Sequence, residues 1–222
     1  NTQADIELNN DGSNAIESQE TSIINSSNHK ITMNGENNGA YTLFGKDIVN
    51  IKNVTITGNK DLQSVFDIGN DRTEEQIIDA KKLNATVNDK SIFMNLHESG
   101  TQTVTLSDSK IKAGYGLHAV PFGDKHTVTL NLHNTELNTT RALISINDPN
   151  FPLDEEDEEE IDANAASTFH FHLSADNNSK LSGAIIENPQ RPAKTEVNVT
   201  LANSQWRFNQ SSILHHLNTQ NS

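Results

Sequence analysis

The sequence predicts an all-β chain wound as a right-handed parallel β-helix of about seven to eight coils, and three observations carry that prediction. An apolar motif recurs about every 26 residues, its strands alternate apolar and polar residues, and clusters of Asn, Asp, Gly and Ser separate them. Alternation of period two marks a strand with one buried face. The intervening residues are those that form tight turns and tolerate left-handed backbone angles. A unit of two or three short strands cannot cover its own apolar face, so a recurring unit must stack on its neighbours. At roughly 4.8 Å per rung, such a stack is a rod of about 35 to 40 Å.

The motif is apolar-x-apolar-x-x-(Ser, Thr or apolar)-x-apolar. It runs through Val49, Ile51, Val54 and Ile56; Ile78, Ala80, Leu83 and Ala85; Val104, Leu106, Ser109 and Ile111; Leu130, Leu132, Thr135 and Leu137; and Val199, Leu201, Ser204 and Trp206. A stretched copy uses Phe171, Leu173, Ser179 and Leu181, and a poorer one starts at Ile23. A second apolar segment follows each start, as in Tyr41-Thr42-Leu43-Phe44, Leu117-His118-Ala119-Val120 and Leu143-Ile144-Ser145-Ile146. An antiparallel sandwich also has many short strands, but the fixed register of two apolar segments and the scarcity of Asn-Gly or Asp-Gly hairpin turns favour the solenoid. Residues 1–22 are expected to be an irregular or capping first coil, and Arg72 to Lys82 is the one stretch with room for a helical turn or two.

The formal charge is -14, from 16 Lys and Arg against 30 Asp and Glu. Eight of those acids are Asp154, Glu155, Glu156, Asp157, Glu158, Glu159, Glu160 and Asp162, which leaves the remaining chain at -6. A self-repelling run of this kind buries nothing, and residues 148–164 are therefore expected to form an exposed loop inserted into the repeat. These eight carboxylates are the candidate binding residues, for a basic partner or for weak, poorly selective divalent cations, since they lack the spaced acids and turn of a built calcium site. No other cofactor is expected. The acidic balance argues against nucleic acid as a partner. With no cysteine, thiol catalysis and disulfide scaffolds are excluded, and no apolar run reaches the roughly 20 residues needed to cross a bilayer as a helix.

The closing segment, Val197 to Trp206 followed by Ser211-Ser212-Ile213-Leu214 and Leu217 to Ser222, resembles the passenger domains of Gram-negative type V autotransporters, in the broad pertactin-like or AIDA-like class. The likeness lies in an Asn-Ser-x-Trp strand followed by a Ser-x-Leu coil, and the shared repeat grammar covers residues 23–222. Membership implies export, passage through a C-terminal β-barrel and display at the bacterial surface. Signal peptide and barrel would lie outside these residues, so a fragment is expected.

Parallel β-helices also serve as polysaccharide lyases and glycosidases, whose chemistry needs carboxylates set at defined distances on adjacent coils. The acids outside the run are scattered, as at Asp5, Asp47, Asp67, Asp79, Asp108 and Glu136; Asp67 and Asp79 have room to face a groove but nothing pairs them at the same rung offset, and no Gly-x-Ser-x-Gly motif is present. His170 and His172 should share an outer face, His118 should be packed, and Trp206 should sit inside the stack near one end. Thr103, Thr105, Thr127, Thr129, Asn131, Asn198 and Thr200 should form outward polar ladders able to pair with an identical ladder on another molecule. The expected function is adhesion at the cell surface, by binding host matrix proteins or glycans or by self-association. A polysaccharide-active enzyme and a plain spacer stalk are the alternatives.

Overall fold

The computed structural model describes residues 4–69, 75–97, 100–120, 125–147, 168–188 and 194–222. Its strands fall into three columns that wind as a β-solenoid of about six turns. The first column contains β3 (Ser22–Ser27), the leading halves of β6 (Asp47–Gly58) and β8 (Glu75–Thr86), then β10 (Gly100–Ser107), β12 (Lys125–His133), β14 (Thr168–Asp176), β16 (Lys194–Ala202) and β18 (His216–Gln220). The second contains β1 (Ile6–Leu8), β4 (Lys30–Met33), the trailing halves of β6 and β8, the leading parts of β11 (Lys110–Ala119), β13 (Glu136–Ile146) and β15 (Lys180–Glu187), and β17 (Gln205–Arg207). The third contains β2 (Asn14–Ser18), β5 (Gly39–Leu43), β7 (Ser64–Ile68), β9 (Ile92–Leu96) and the trailing parts of β11, β13 and β15.

Every strand pairing among the described residues is parallel, which rules out the antiparallel sandwich. The motif positions stack as the repeat requires: Val49, Ile78, Val104, Leu130, Leu173 and Val199 form one inward ladder, and none is more than 3% exposed. In the third column Tyr41 stacks on Phe66 at 5.3 Å, and Phe66 meets Phe93 edge-on at 5.4 Å, filling the first coils with aromatic area.

Two repeat assignments shift by a small step. Ile24, not Ile23, lies over Val49, and Leu173, not Phe171, lies over Leu130. For Leu173 the reason is that a period-two pattern is unchanged by a slip of two: Phe169, Phe171 and Leu173 are all inward and all buried, so the pattern alone does not choose among them; for Ile24 it is that two adjacent isoleucines both satisfy an apolar position. The helical turn allowed between Arg72 and Lys82 is not seen where the structure describes that stretch, because Glu75–Thr86 is a single 12-residue strand with alternating burial. Two short strands already join the columns within residues 6–18.

The corner between the first and second columns is built the same way in every coil. A residue with positive φ occupies it in each turn: Asn28, Asn53, Lys82, Asp108, Asn134, the pair Asn177 and Asn178, Asn203 and Asn221, with φ between 46° and 66°. Asparagine is the non-glycine residue that tolerates this region best, which accounts for its recurrence. The side chains continue the stacking, Asn53 Nδ2 donating to Asn28 Oδ1 at 2.9 Å and Asn134 Nδ2 to Asp108 Oδ1 at 2.8 Å. Just after it, in the coils of Ser109, Thr135 and Ser179, the motif's hydroxyl turns inward. Leu83 N–H donates to Ser109 Oγ (3.0 Å), Ser109 N–H to Thr135 Oγ1 (3.3 Å) and Thr135 N–H to Ser179 Oγ (3.0 Å). Each hydroxyl also donates to a carbonyl, as Thr135 Oγ1 does to Leu106 O at 3.1 Å, so the buried hydroxyls both donate and accept.

Candidate interaction face

Alternation in the first column sends every second side chain outward, and the parallel register lines those side chains up across eight strands. Thr127 stacks over Thr101 and is followed by His170 and Glu196; Thr103, Thr129, His172, Asn198 and His216 form the next ladder; Thr105, Asn131, Ser174, Thr200 and Asn218 form a third. All seven residues expected to form outward polar ladders therefore lie on one sheet face, on neighbouring rungs, and all are at least partly exposed. Threonine suits these positions because its branched Cβ fits a pleated surface while its hydroxyl reaches solvent.

The middle ladder continues in the other direction as Ile77, Ile48 and Ile23, which are 38%, 39% and 69% exposed. Three stacked isoleucines on the outside of a solenoid form an apolar strip at one end of an otherwise polar face. Sequence reasoning passed over them, although the signal is present. Ile23-Ile24, Ile48-Val49 and Ile77-Ile78 each place two apolar residues side by side in a strand of period two, and one member of each pair must face out.

At the opposite end the face is rich in histidine. His170 and His172 do share the outer side of β14, as expected. His170 Nδ1 lies 2.9 Å from Glu196 Oε2, and His172 Nδ1 lies 3.4 Å from Asn198 Nδ2, so each faces a residue of β16 instead of converging with the other. Hydrogen bonds from Asn198 and then His170 hold the Glu196 carboxyl below its ordinary range. His133 meets Asp176 at 2.7 Å one ladder away.

The remaining candidates are dispersed. Asp67 belongs to β7 in the third column, where it accepts hydrogen bonds from Asn95 Nδ2 (3.1 Å) and His97 Nε2 (2.8 Å). Asp79 is outward on β8 in the first column, so the two acids face different sides and share no groove. His118 is packed, 1% exposed, with Nδ1 3.1 Å from Asn95 Oδ1. Trp206 is half-buried at the end of the second column, stacked over Leu181, and its Nε1 donates to Gly183 O at 2.9 Å. The carbonyl it reaches belongs to a glycine at φ 107°, where a Cβ would strike the backbone of Leu143. Asp154 to Asp162, and the cation affinity ascribed to them, lie outside the described residues. The register of their neighbours does mark the insertion: His133 pairs with Asp176, 43 residues on, where the other coils of the first column advance by 18 to 29. No family model, curated protein or solved structure matches the chain.

Proposed function

We propose that the chain is an adhesion module of the cell exterior, of the autotransporter-passenger kind, and that the outer face of the first column is its contact surface. The observation that carries this reading is the continuous eight-strand face, with hydroxyl and amide ladders at one rung spacing and an isoleucine strip at one end. A second copy laid along this face meets side chains at the same period of about 4.8 Å, so one favourable contact recurs rung after rung. Each such hydrogen bond contributes only about 0.5 to 1.5 kcal/mol, and strength comes from repetition along the rod and among many displayed copies. Burial of the isoleucines adds about 25 cal/mol for each Å² of apolar surface removed from water.

Self-association is the mode that the repeating register favours, and a host matrix protein or glycan is the alternative partner for the same face. Displayed on a non-aggregating bacterium, the chain should make cells settle. The double variant Ile48→Lys with Thr129→Lys, which places two like charges on the contact ladder, should abolish settling while the far-ultraviolet spectrum stays unchanged. Wild-type display that causes no settling, or a variant that settles as fast as wild type, overturns the self-association reading.

A further inference from the structure

The second column carries a different surface. Between β6 and β17 it presents twelve outward strand positions in two ladders. Four are cations, Lys110, Lys112, Lys180 and Arg207, one is an anion, Glu136, and the other seven are Thr, Asn, Ser or Gln. A strip of positive sign has thus been assembled on a chain whose formal charge is -14. All four cations are exposed; Lys81 and Lys82 lie at the strip's leading corner, where Asp108 follows on the next coil. Glu136 is committed locally: Asn138 and then Lys110 hydrogen-bond to it and hold its carboxyl below the ordinary range, with Lys110 Nζ 3.3 Å away.

Register fixes the spacing of these charges. Lys110 and Lys180 stand on one ladder with Glu136 between them, about 10 Å apart at two rungs, and Lys112 and Arg207 stand on the other, about 14 Å apart at three rungs. Cations repeated along a straight, flat strip, with hydroxyl and amide groups between them, complement a linear chain of sugars that bears anionic groups at intervals and hydroxyls throughout. A nucleic acid is the poorer fit. None of the twelve outward positions is aromatic, so the strip offers no platform for stacking bases. The geometry points to the outer face of the second column as a binding site for acidic polysaccharide, a polymer bearing sulfate or carboxylate groups. This site is separate from the first-column face and stands whether or not that face self-associates.

The test uses immobilised dextran sulfate and polygalacturonate as the anionic probes, with neutral dextran and duplex DNA alongside, in 50 mM and 300 mM NaCl. The full chain should bind an anionic polysaccharide at low salt, lose most of that binding at high salt, and ignore neutral dextran. The double variant Lys112→Glu with Arg207→Glu should bind at least tenfold more weakly. Lys194→Glu, an exposed charge reversal in the first column, should bind as wild type, and Glu136→Gln should tighten binding a few-fold. The pair Ile48→Lys with Thr129→Lys should retain the polysaccharide, which separates failure here from failure of the self-association reading. Unchanged binding by the Lys112 and Arg207 variant, equal binding to neutral dextran, or tighter binding to DNA than to either anionic glycan overturns the proposal.

Discussion

Two corners of the same coil obey opposite rules. From the first-column ladder of Val49 to the second-column ladder of Ile56 the chain takes seven residues, and it takes seven again in every other coil except that of Leu173 to Leu181, which takes eight. From the third column back to the first, measured from the ladder of Leu43 to that of Val49, the step is 6, 10, 8, 11, 27 and 12 residues in successive coils. The constant corner is made by a left-handed residue in every coil, followed at Ser109, Thr135 and Ser179 by an inward hydroxyl that satisfies backbone groups of the adjacent coil; among the described residues no left-handed residue recurs coil after coil at the variable corner. A solenoid tolerates diversity where its backbone is not already engaged by the coil next door.

The largest expected effect breaks the constant corner directly. Two alanines inserted between Asn134 and Thr135 displace the hydroxyl that serves Ser109 N–H and Leu106 O and push Leu137 out of its ladder. Urea denaturation should show a loss of at least about 4 kcal/mol, combining unsatisfied buried groups with a core cavity. The same two residues placed between positions 122 and 123, at the variable corner, should cost less than about 0.5 kcal/mol, since lengthening an existing connection adds little closure entropy. Removing residues 154–162 should likewise leave the far-ultraviolet spectrum and the urea midpoint near wild type.

The variable corner is constrained on its inner side, and this sharpens the comparison. Asp47, Gln76 and Gln102 stack there in one buried ladder: Ser18 Oγ donates to Asp47 Oδ1 at 2.7 Å, Gln76 Nε2 to Gly45 O at 2.7 Å, and Gln102 Nε2 to Gln76 Oε1 at 3.1 Å. His126 enters the interior on the following coil, fully buried, beside Phe169, with neither ring nitrogen hydrogen-bonded among the described residues. Burial pushes its pKa down from 6.5 to about 4. The folded state therefore keeps the imidazole neutral while the unfolded chain takes up a proton first. Stability should be full above about pH 6.5 and fall as pH drops toward 4, by about 3 kcal/mol in all. His126→Leu should flatten that pH dependence between 6.5 and 4 in urea titrations, and an unchanged slope would assign it to other groups.

Smaller effects test the parts of the constant corner singly. Thr135→Val keeps the shape and removes the hydroxyl, leaving Ser109 N–H and Leu106 O buried without it, and should cost about 1 to 3 kcal/mol. Asn53→Ala puts a less tolerant residue at φ 55° and removes the bond to Asn28, for about 1 kcal/mol. Both are read from the same denaturation curves as the insertions.

The fold was largely legible in the sequence because each coil repeats the same solution. Val49, Ile51, Val54 and Ile56 recur by type in later coils, and stacking leaves little choice of where such residues go. The Ser or Thr slot was visible as a composition preference, but its role was not, because a hydroxyl that caps the backbone of a neighbouring coil acts over 26 residues of sequence. Register failed where symmetry under a two-residue slip hid it, at Phe171 and Leu173. Charge segregation was invisible for a related reason. Lys110, Lys180 and Arg207 are far apart in the chain, and only the lateral register shows that they stand on one side of the rod. The polar ladders of the first column follow directly from period-two alternation, while the isoleucine strip departs from the rule that apolar residues face in.

The account turns on the first-column face being where one copy meets another, and the absence of cysteine from the chain makes a direct test clean. Single cysteines at Thr129 on that face, at Asn84 on the second column and at Asn14 on the third should be displayed on cells, which are allowed to settle and then oxidised briefly. The account predicts disulfide-linked dimers from Thr129→Cys and almost none from the other two. Equal cross-linking at all three positions, or cross-linking strongest at Asn84 or Asn14, would contradict it.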